Sequence, residues 1–334
     1  MNLNLLSKYR TQLMGIAILF IAFFHSSVES DSTIFNFFKF LGDFGVDIFF
    51  FISGIGMYYT MLKNPTYGQF CKKRLLRIVP AWISINLFIQ LEQGGWHVQD
   101  WSWFLKIMTG LTFWLHGNLY FWYISAIIVF YALTPLFVQR LKKNIKATYL
   151  GLGAIWILML AVSLIFHNAK YFIVLFRVPV YFVGIGFGKM VNEKKEIKKD
   201  RVYTGILTCI FLIVVEFFIY STYEKVSFIR YDYKYLVYFP LAICFCGIFS
   251  CLLEKIEYKF YILSFYGGIS LEVYLLHEYM LKKCCILFGK DDSKSIIYNI
   301  SVFLIVSIIA KVLHEIIHLL TEKNGGKLSN GQIN

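Results

Sequence analysis

The side chains of this chain that could do chemistry are few, and each interrupts an apolar stretch. The first is His25, which closes the apolar part of RTQLMGIAILFIAFFHSSV, residues 10–28, behind Lys8 and Arg10. As a helix crossing a bilayer, that run sets the imidazole ~20 Å from its start, toward the far leaflet. An ionisable group at such depth is costly: either it is functional, or it glues two helices by a hydrogen bond. Asp47, in GVDIFFFISG at 45–54, falls in the same leaflet if the second span runs back. A carboxylate beside a histidine fixes its tautomer and raises its basicity, as a general base requires. At a first turn it can equally cap its own helix. Ser53 and Gly54 lie deeper and permit close helix approach.

Further on, RLLR at 74–77, after Lys72 and Lys73, puts two arginines on one helical face. Guanidinium groups grip phosphate with two prongs, which lysine cannot. The cluster suits a phosphorylated ligand at the inner face, or simply anionic lipid. Arg177 lies in FRVPVYFVGIGFGK, Glu216 near the end of another apolar run, and Glu272 and His277 in GGISLEVYLLHEYM. Glu216 and His277 each also have a purely structural reading. Together with His25 and Asp47 these groups are too many to face lipid, and they predict an internal, water-accessible cavity.

The elements that must position them are transmembrane helices. The 334 residues are 58% hydrophobic and only 16% charged, against about 25% charged in a soluble domain. Runs long enough to span fall at 12–28, 44–62, 79–92, 119–139, 149–167, 171–190, 202–221, 235–253, 262–288 and 295–320. The fold class is therefore all-α and polytopic, with about ten spans in a membrane domain over 1–320 and a polar tail at 321–334. With the N-terminus inside, the outer connections keep only Lys39, Lys106, Lys170, Lys225, Arg230, Lys234, Lys290 and Lys294, so both termini are expected to be cytoplasmic. The net charge of +13 accordingly reports inner loops and not nucleic acid. Residues 64–78 predict a short amphipathic helix lying at the inner face. Residues 93–118, with Trp96, Trp101, Trp103 and Trp114, predict an interfacial or re-entrant outer cap. The seven cysteines form no CxxC pair and read as small buried hydrophobes, with no metal site implied.

In order along the chain, His25, GVDIFFFISG, RLLRIVP, LYFWYISA, RVPVYFVG and ISLEVYLLH resemble the integral membrane acyltransferase family three, over roughly residues 8–320. The resemblance implies transfer of an acyl group, commonly acetyl, from cytoplasmic acyl-CoA to a hydroxyl of an extracytoplasmic glycan, in a bacterial cytoplasmic membrane. Acyl-CoA is then a donor substrate, and no permanently bound cofactor is expected. The resemblance makes His25 catalytic and assigns Arg74 and Arg77, with Lys73 beside them, to the donor. Asp47, Ser53, Arg177, Glu272 and His277 match family positions, and Trp122 belongs to the LYFWYISA motif. The mechanism expected has Asp47 orienting His25 and Ser53, Trp122 and His277 lining the acceptor cavity. From depth and charge, Arg177 is expected to face a developing oxyanion, and Glu272 to orient a histidine or a water. Many members carry an arginine eleven residues before the histidine. Here that position is Met14, and Arg10, on the same helical face and ~6 Å lower, is the substitute. No hydrolase-like domain accompanies the spans, so transfer is expected to finish within the membrane domain. A different class, a transporter or flippase for an anionic lipid-linked sugar, would use the same charges as a substrate path, but predicts inverted repeats that the sequence does not display. The sequence sets no oligomeric state.

Overall fold

The computed structural model describes residues 2–92, 101–166, 169–222, 231–256, 260–288 and 294–329. Ten principal helices carry the fold: α1 Arg10–His25, α2 Gly45–Met61, α3 Tyr67–Glu92, α4 Trp122–Lys143, α5 Ile145–Ile165, α6 Val178–Asn192, α7 Lys199–Thr222, α8 Lys234–Ile256, α9 Ser270–Phe288 and α10 Ile296–Ser329. Among the described residues eight stretches are long and apolar enough to cross a membrane, and the shorter α1 and the less apolar α9 pack among them. Among the described residues there are no strands, only an isolated bridge between Asn2 and Glu196.

The third span departs from expectation. The basic stretch does not lie flat as a separate helix but forms the opening turns of α3, which continues through Pro80 to Glu92. Proline removes one backbone hydrogen bond without ending a helix that its neighbours hold in place. Long basic side chains at a helix end can reach water while their stems stay against apolar surface, so hydropathy alone truncates such a span. Of the predicted outer cap, the helices Trp101–Met108 and Leu111–His116 are present, joined through Gly110 at φ +73°. Trp96 and the side chains of Trp101 and Trp103 lie outside the described residues, while Trp114 stacks on Tyr171.

Helix α2 is apolar on nearly every face and buried on nearly every face, as a central helix must be. Glycines let α6 approach it. A Cβ added at Gly54 would sit 2.2 Å from the Tyr181 carbonyl oxygen, and one at Gly184 would sit 2.4 Å from that of Phe51. The expected close approach at Gly54 is thus present. A second small-residue seam joins α1 to the helix Tyr261–Gly268, where a Cβ at Gly15 would meet the Leu263 carbonyl at 1.9 Å. The seven thiols are free and buried or half-buried.

A Gly184→Val change should force α2 and α6 apart, at a cost of about 1–3 kcal/mol for overpacking. The expected result is a lower melting midpoint in detergent; an unchanged midpoint would show that the seam has room to spare.

Candidate functional site

His25 is the last residue of α1, and its ring faces a cavity of about 460 Å³. Its Nδ1 lies 2.9 Å from the carbonyl oxygen of Ile21 in the preceding turn. A carbonyl can only accept, so the proton sits on Nδ1 and the neutral ring keeps its lone pair on Nε2. His277 on α9 is arranged likewise, with Nδ1 2.8 Å from the Tyr274 carbonyl and 3.1 Å from that of Val273. The two imidazoles meet edge to face at 4.8 Å between centroids. His277 is buried, and its Nε2 has no hydrogen-bond partner among the described residues. The remaining walls mix aromatic and polar groups, among them Trp122, Tyr120, Tyr235, Asn118, Glu278 and Lys282.

The aspartate that lines this cavity is Asp43, not Asp47. Expected beside His25, Asp47 instead accepts from Arg177 Nε at 3.0 Å, and the His25 tautomer is set by a backbone carbonyl. Arg177 is fully buried and bridges two acids, giving Nη2 to Asp43 Oδ1 at 3.0 Å, with Nη1 on the Ile173 carbonyl at 3.3 Å. Its guanidinium lies 4.2 Å from the centre of the Tyr235 ring and 5.0 Å from that of Trp122. It therefore does not reach the cavity where an oxyanion would form. Lys234 completes the cluster, its Nζ 2.8 Å from Asp43 Oδ2, with Phe24, Phe40 and Tyr235 rings around it. Two acids thus face two basic side chains in one buried cluster, where removing a single partner is costly. Glu216, also buried, lies at the edge of the cluster beside Lys234 and Tyr238.

At the other end of α1, fifteen residues or about 22 Å away by helical rise, Arg10, Met14, Ser53 and Arg77 line a smaller cavity of about 60 Å³. Arg10 lies across Gly56, where a Cβ would come within 2.7 Å of its Nη2. Arg74 is buried, donates to Thr60 Oγ1, and is close enough to Arg10 to repel it. Three guanidiniums gather here, two of them in the cavity wall, and among the described residues no carboxylate lines it, a charge balance that suits an anion. Lys73 is exposed and is not in that wall. Tyr274 lines both cavities. Its ring packs 5.1 Å from that of Tyr123.

Glu272 belongs to neither cavity. It accepts from His314 Nδ1 of α10 at 2.9 Å, which ties α9 to α10. The structure thus gathers His25, His277 and Trp122 in one cavity and Arg10, Arg77 and Ser53 in another. Asp47, Arg177 and Glu272 become parts of the frame. Sequence reading missed Asp43, Lys234, Tyr120 and Tyr274. Lys234 stands next to an apolar run and is counted with the loop lysines, although the aromatic KYLVYF around it signals a partly buried cation.

A family model described as an acyltransferase domain matches residues 12–314 of the chain. No curated protein and no solved structure matches it.

Removing Arg177 leaves two buried carboxylates sharing one lysine, whereas removing the charge of Asp47 leaves the arginine still paired with Asp43. Arg177→Gln should therefore lower stability by about 3–5 kcal/mol and Asp47→Asn by clearly less, read as melting midpoints. An Arg177→Gln protein that melts as the wild type yet has lost turnover would return this residue to the reaction itself.

Proposed function

Since the chain belongs to the integral membrane acyltransferase family three, with the match running through nearly all of it, we propose that it moves an acyl group, most simply acetyl, from cytoplasmic acyl-CoA to a hydroxyl of an extracytoplasmic glycan in a bacterial cytoplasmic membrane. The observation that carries this reading is the arrangement along α1. A cluster of guanidiniums marks one end, a histidine with an available Nε2 marks the other, and the Tyr274 side chain stands between their cavities.

In this reading the nucleotide phosphates of the donor sit on Arg10 and Arg77. Arg74, tied to Thr60, adds charge from behind. Arg10 thereby takes the place left open by Met14. The pantetheine arm passes Tyr274, whose ring must swing to admit it, and brings the thioester carbonyl to the larger cavity. There His25 Nε2 takes the proton of the acceptor hydroxyl as its oxygen attacks the carbonyl carbon. The Nδ1–H to the Ile21 carbonyl and the nearby Asp43 carboxylate favour the imidazolium that forms. The carbon–sulfur bond then breaks, and the proton passes from His25 to the departing CoA thiolate, so none is consumed. For the oxyanion the suitable donor is the Tyr120 hydroxyl, which is buried, lines this cavity and lacks a partner among the described residues. Trp122, Tyr235 and Tyr120 offer flat apolar faces, with Asn118 and Glu278 for hydroxyls, a lining suited to a sugar ring.

Turnover of labelled acetyl-CoA by the purified protein tests the scheme. His25→Ala should lower kcat by at least ~100-fold, the usual share of a general base, while CoA still binds. Arg10→Ala and Arg77→Ala should chiefly raise the donor KM, because a phosphate clamp contributes uniform binding. Near-normal acylation by the His25 variant, or substrate transport with no thioester consumed, would overturn the assignment.

Tyr274→Trp should leave CoA binding intact and reduce kcat by blocking the passage. An unchanged kcat in that variant would mean that the donor reaches His25 by another route.

A further inference from the structure

An apolar groove of about 320 Å³ adjoins the histidine cavity, and the two share one residue, His277. Its walls are Leu19, Ala22 and Phe23 of α1 and Ile300, Phe303 and Val306 of α10. Along α10 it runs from Ile296 to Val306, about 15 Å at the helical rise, or half the hydrocarbon thickness of a bilayer of ~30 Å. It opens sideways between two helices, past the exposed Ile296 and Ile300, where only lipid chains surround a membrane-spanning bundle. Its polar residues other than His277, Ser26 and Asn299, sit together at the outward end, at the C-terminus of α1 and the start of α10. The groove thus has the length, direction and polarity of one amphiphile standing among the lipids of that leaflet, head outward. Where groove and cavity join, His277 Nε2 is buried, bears a lone pair and has no partner among the described residues. A buried acceptor without a donor marks a place for a ligand's donor group.

We infer that the acceptor is an amphiphile, a hydroxyl-bearing head carried on an apolar chain, which enters from the outer leaflet with its chain in the α1–α10 groove and its head in the histidine cavity. The head donates a hydrogen bond to His277 Nε2 and so presents a neighbouring hydroxyl to His25. This rests on the acyl-transfer reading above and narrows the acceptor from any glycan to one anchored in the membrane. A donor acyl chain fits the same groove less well, because it would arrive from the opposite face and have to turn back on itself. His277 acts here as a positioning residue for the acceptor.

The test uses the full-length protein in intact cells given a brief pulse of labelled acetate, with the His25→Ala strain as the baseline. His25-dependent label should enter the solvent-extractable lipid fraction first. Ala22→Phe, which fills the groove, and Ile300→Trp, which covers its exposed mouth, should each lower that label at least five-fold while protein level, melting midpoint and CoA binding stay as in the wild type. His277→Ala should raise the KM for the extracted acceptor more than it lowers kcat. Label that appears from the earliest time only in water-soluble or wall-bound glycan would overturn the inference and leave the acyltransferase reading standing. So would groove variants that label lipid as the wild type does. An absence of His25-dependent label in every fraction would instead remove the acyl-transfer reading, and this inference with it.

Discussion

A guanidinium buried in the middle of a membrane protein must be matched by negative charge, and Arg177 meets that demand with two aspartates from another part of the chain. Much of the site geometry follows from it. Asp43 comes from the 3₁₀ turn that leads into α2, Asp47 from the first turn of α2, and Arg177 from the residue before α6. The pairs therefore fix where these two helices begin relative to each other, while the glycine seam below fixes their spacing. Lys234, at the start of α8, joins through Asp43 and brings a third helix to the same point. Trp122 and Tyr235 are held against the guanidinium, and both line the cavity. The charge cluster thus stands behind the cavity, with Asp43 in the wall and Arg177 and Asp47 engaged with each other.

That division separates the residues that hold from those that react. Breaking a buried pair leaves an unmatched charge in low dielectric, so loss of activity on changing Asp47 or Arg177 does not by itself make either catalytic. The Nδ1 hydrogen bonds of the two histidines run to their own helices and not to this network. Each anchors Nδ1 on its own helix's backbone, a local contact that needs no distant partner and leaves Nε2 to a ligand. In the proposed reading, the basic cavity at the far end of α1 holds the donor phosphate and the histidine cavity the acceptor hydroxyl, with Tyr274 lining both. Such a barrier can admit a slender pantetheine arm while limiting leakage between the two faces.

The helical, polytopic class was legible in the sequence, and so were His25, His277, Arg10 and Arg77 as groups that would line internal cavities, because ionisable groups in or beside apolar runs are conspicuous. Their partners were not. His25 and Asp47 look like a pair when both fall in one leaflet, but which side of a helix faces which neighbour depends on packing that span prediction does not supply. Asp43 and Lys234 were passed over because they stand at span ends, where a charge is ordinarily in water or capping a helix, and Lys234 was assigned to a loop. The continuous α3 was read as a surface helix plus a short span, because lysines and arginines at a helix end depress hydropathy even when the backbone carries straight on. Glu272 lies five residues from His277 in sequence, yet it accepts its hydrogen bond from His314, 42 residues away. Tyr274 carries no sequence signal, since one tyrosine among 23 becomes a barrier only through its position between two cavities.

The account stands or falls on the donor threading from one end of α1 to the other. A cryo-EM structure of the protein with a non-hydrolysable acetyl-CoA analogue would show this directly. The account predicts nucleotide phosphates on Arg10 and Arg77, Tyr274 turned aside, and the analogue's carbonyl beyond it, close enough to His25 that a hydroxyl could bridge the two. An analogue whose phosphates lie at the histidine end, or whose carbonyl stays on the arginine side of Tyr274, would contradict it.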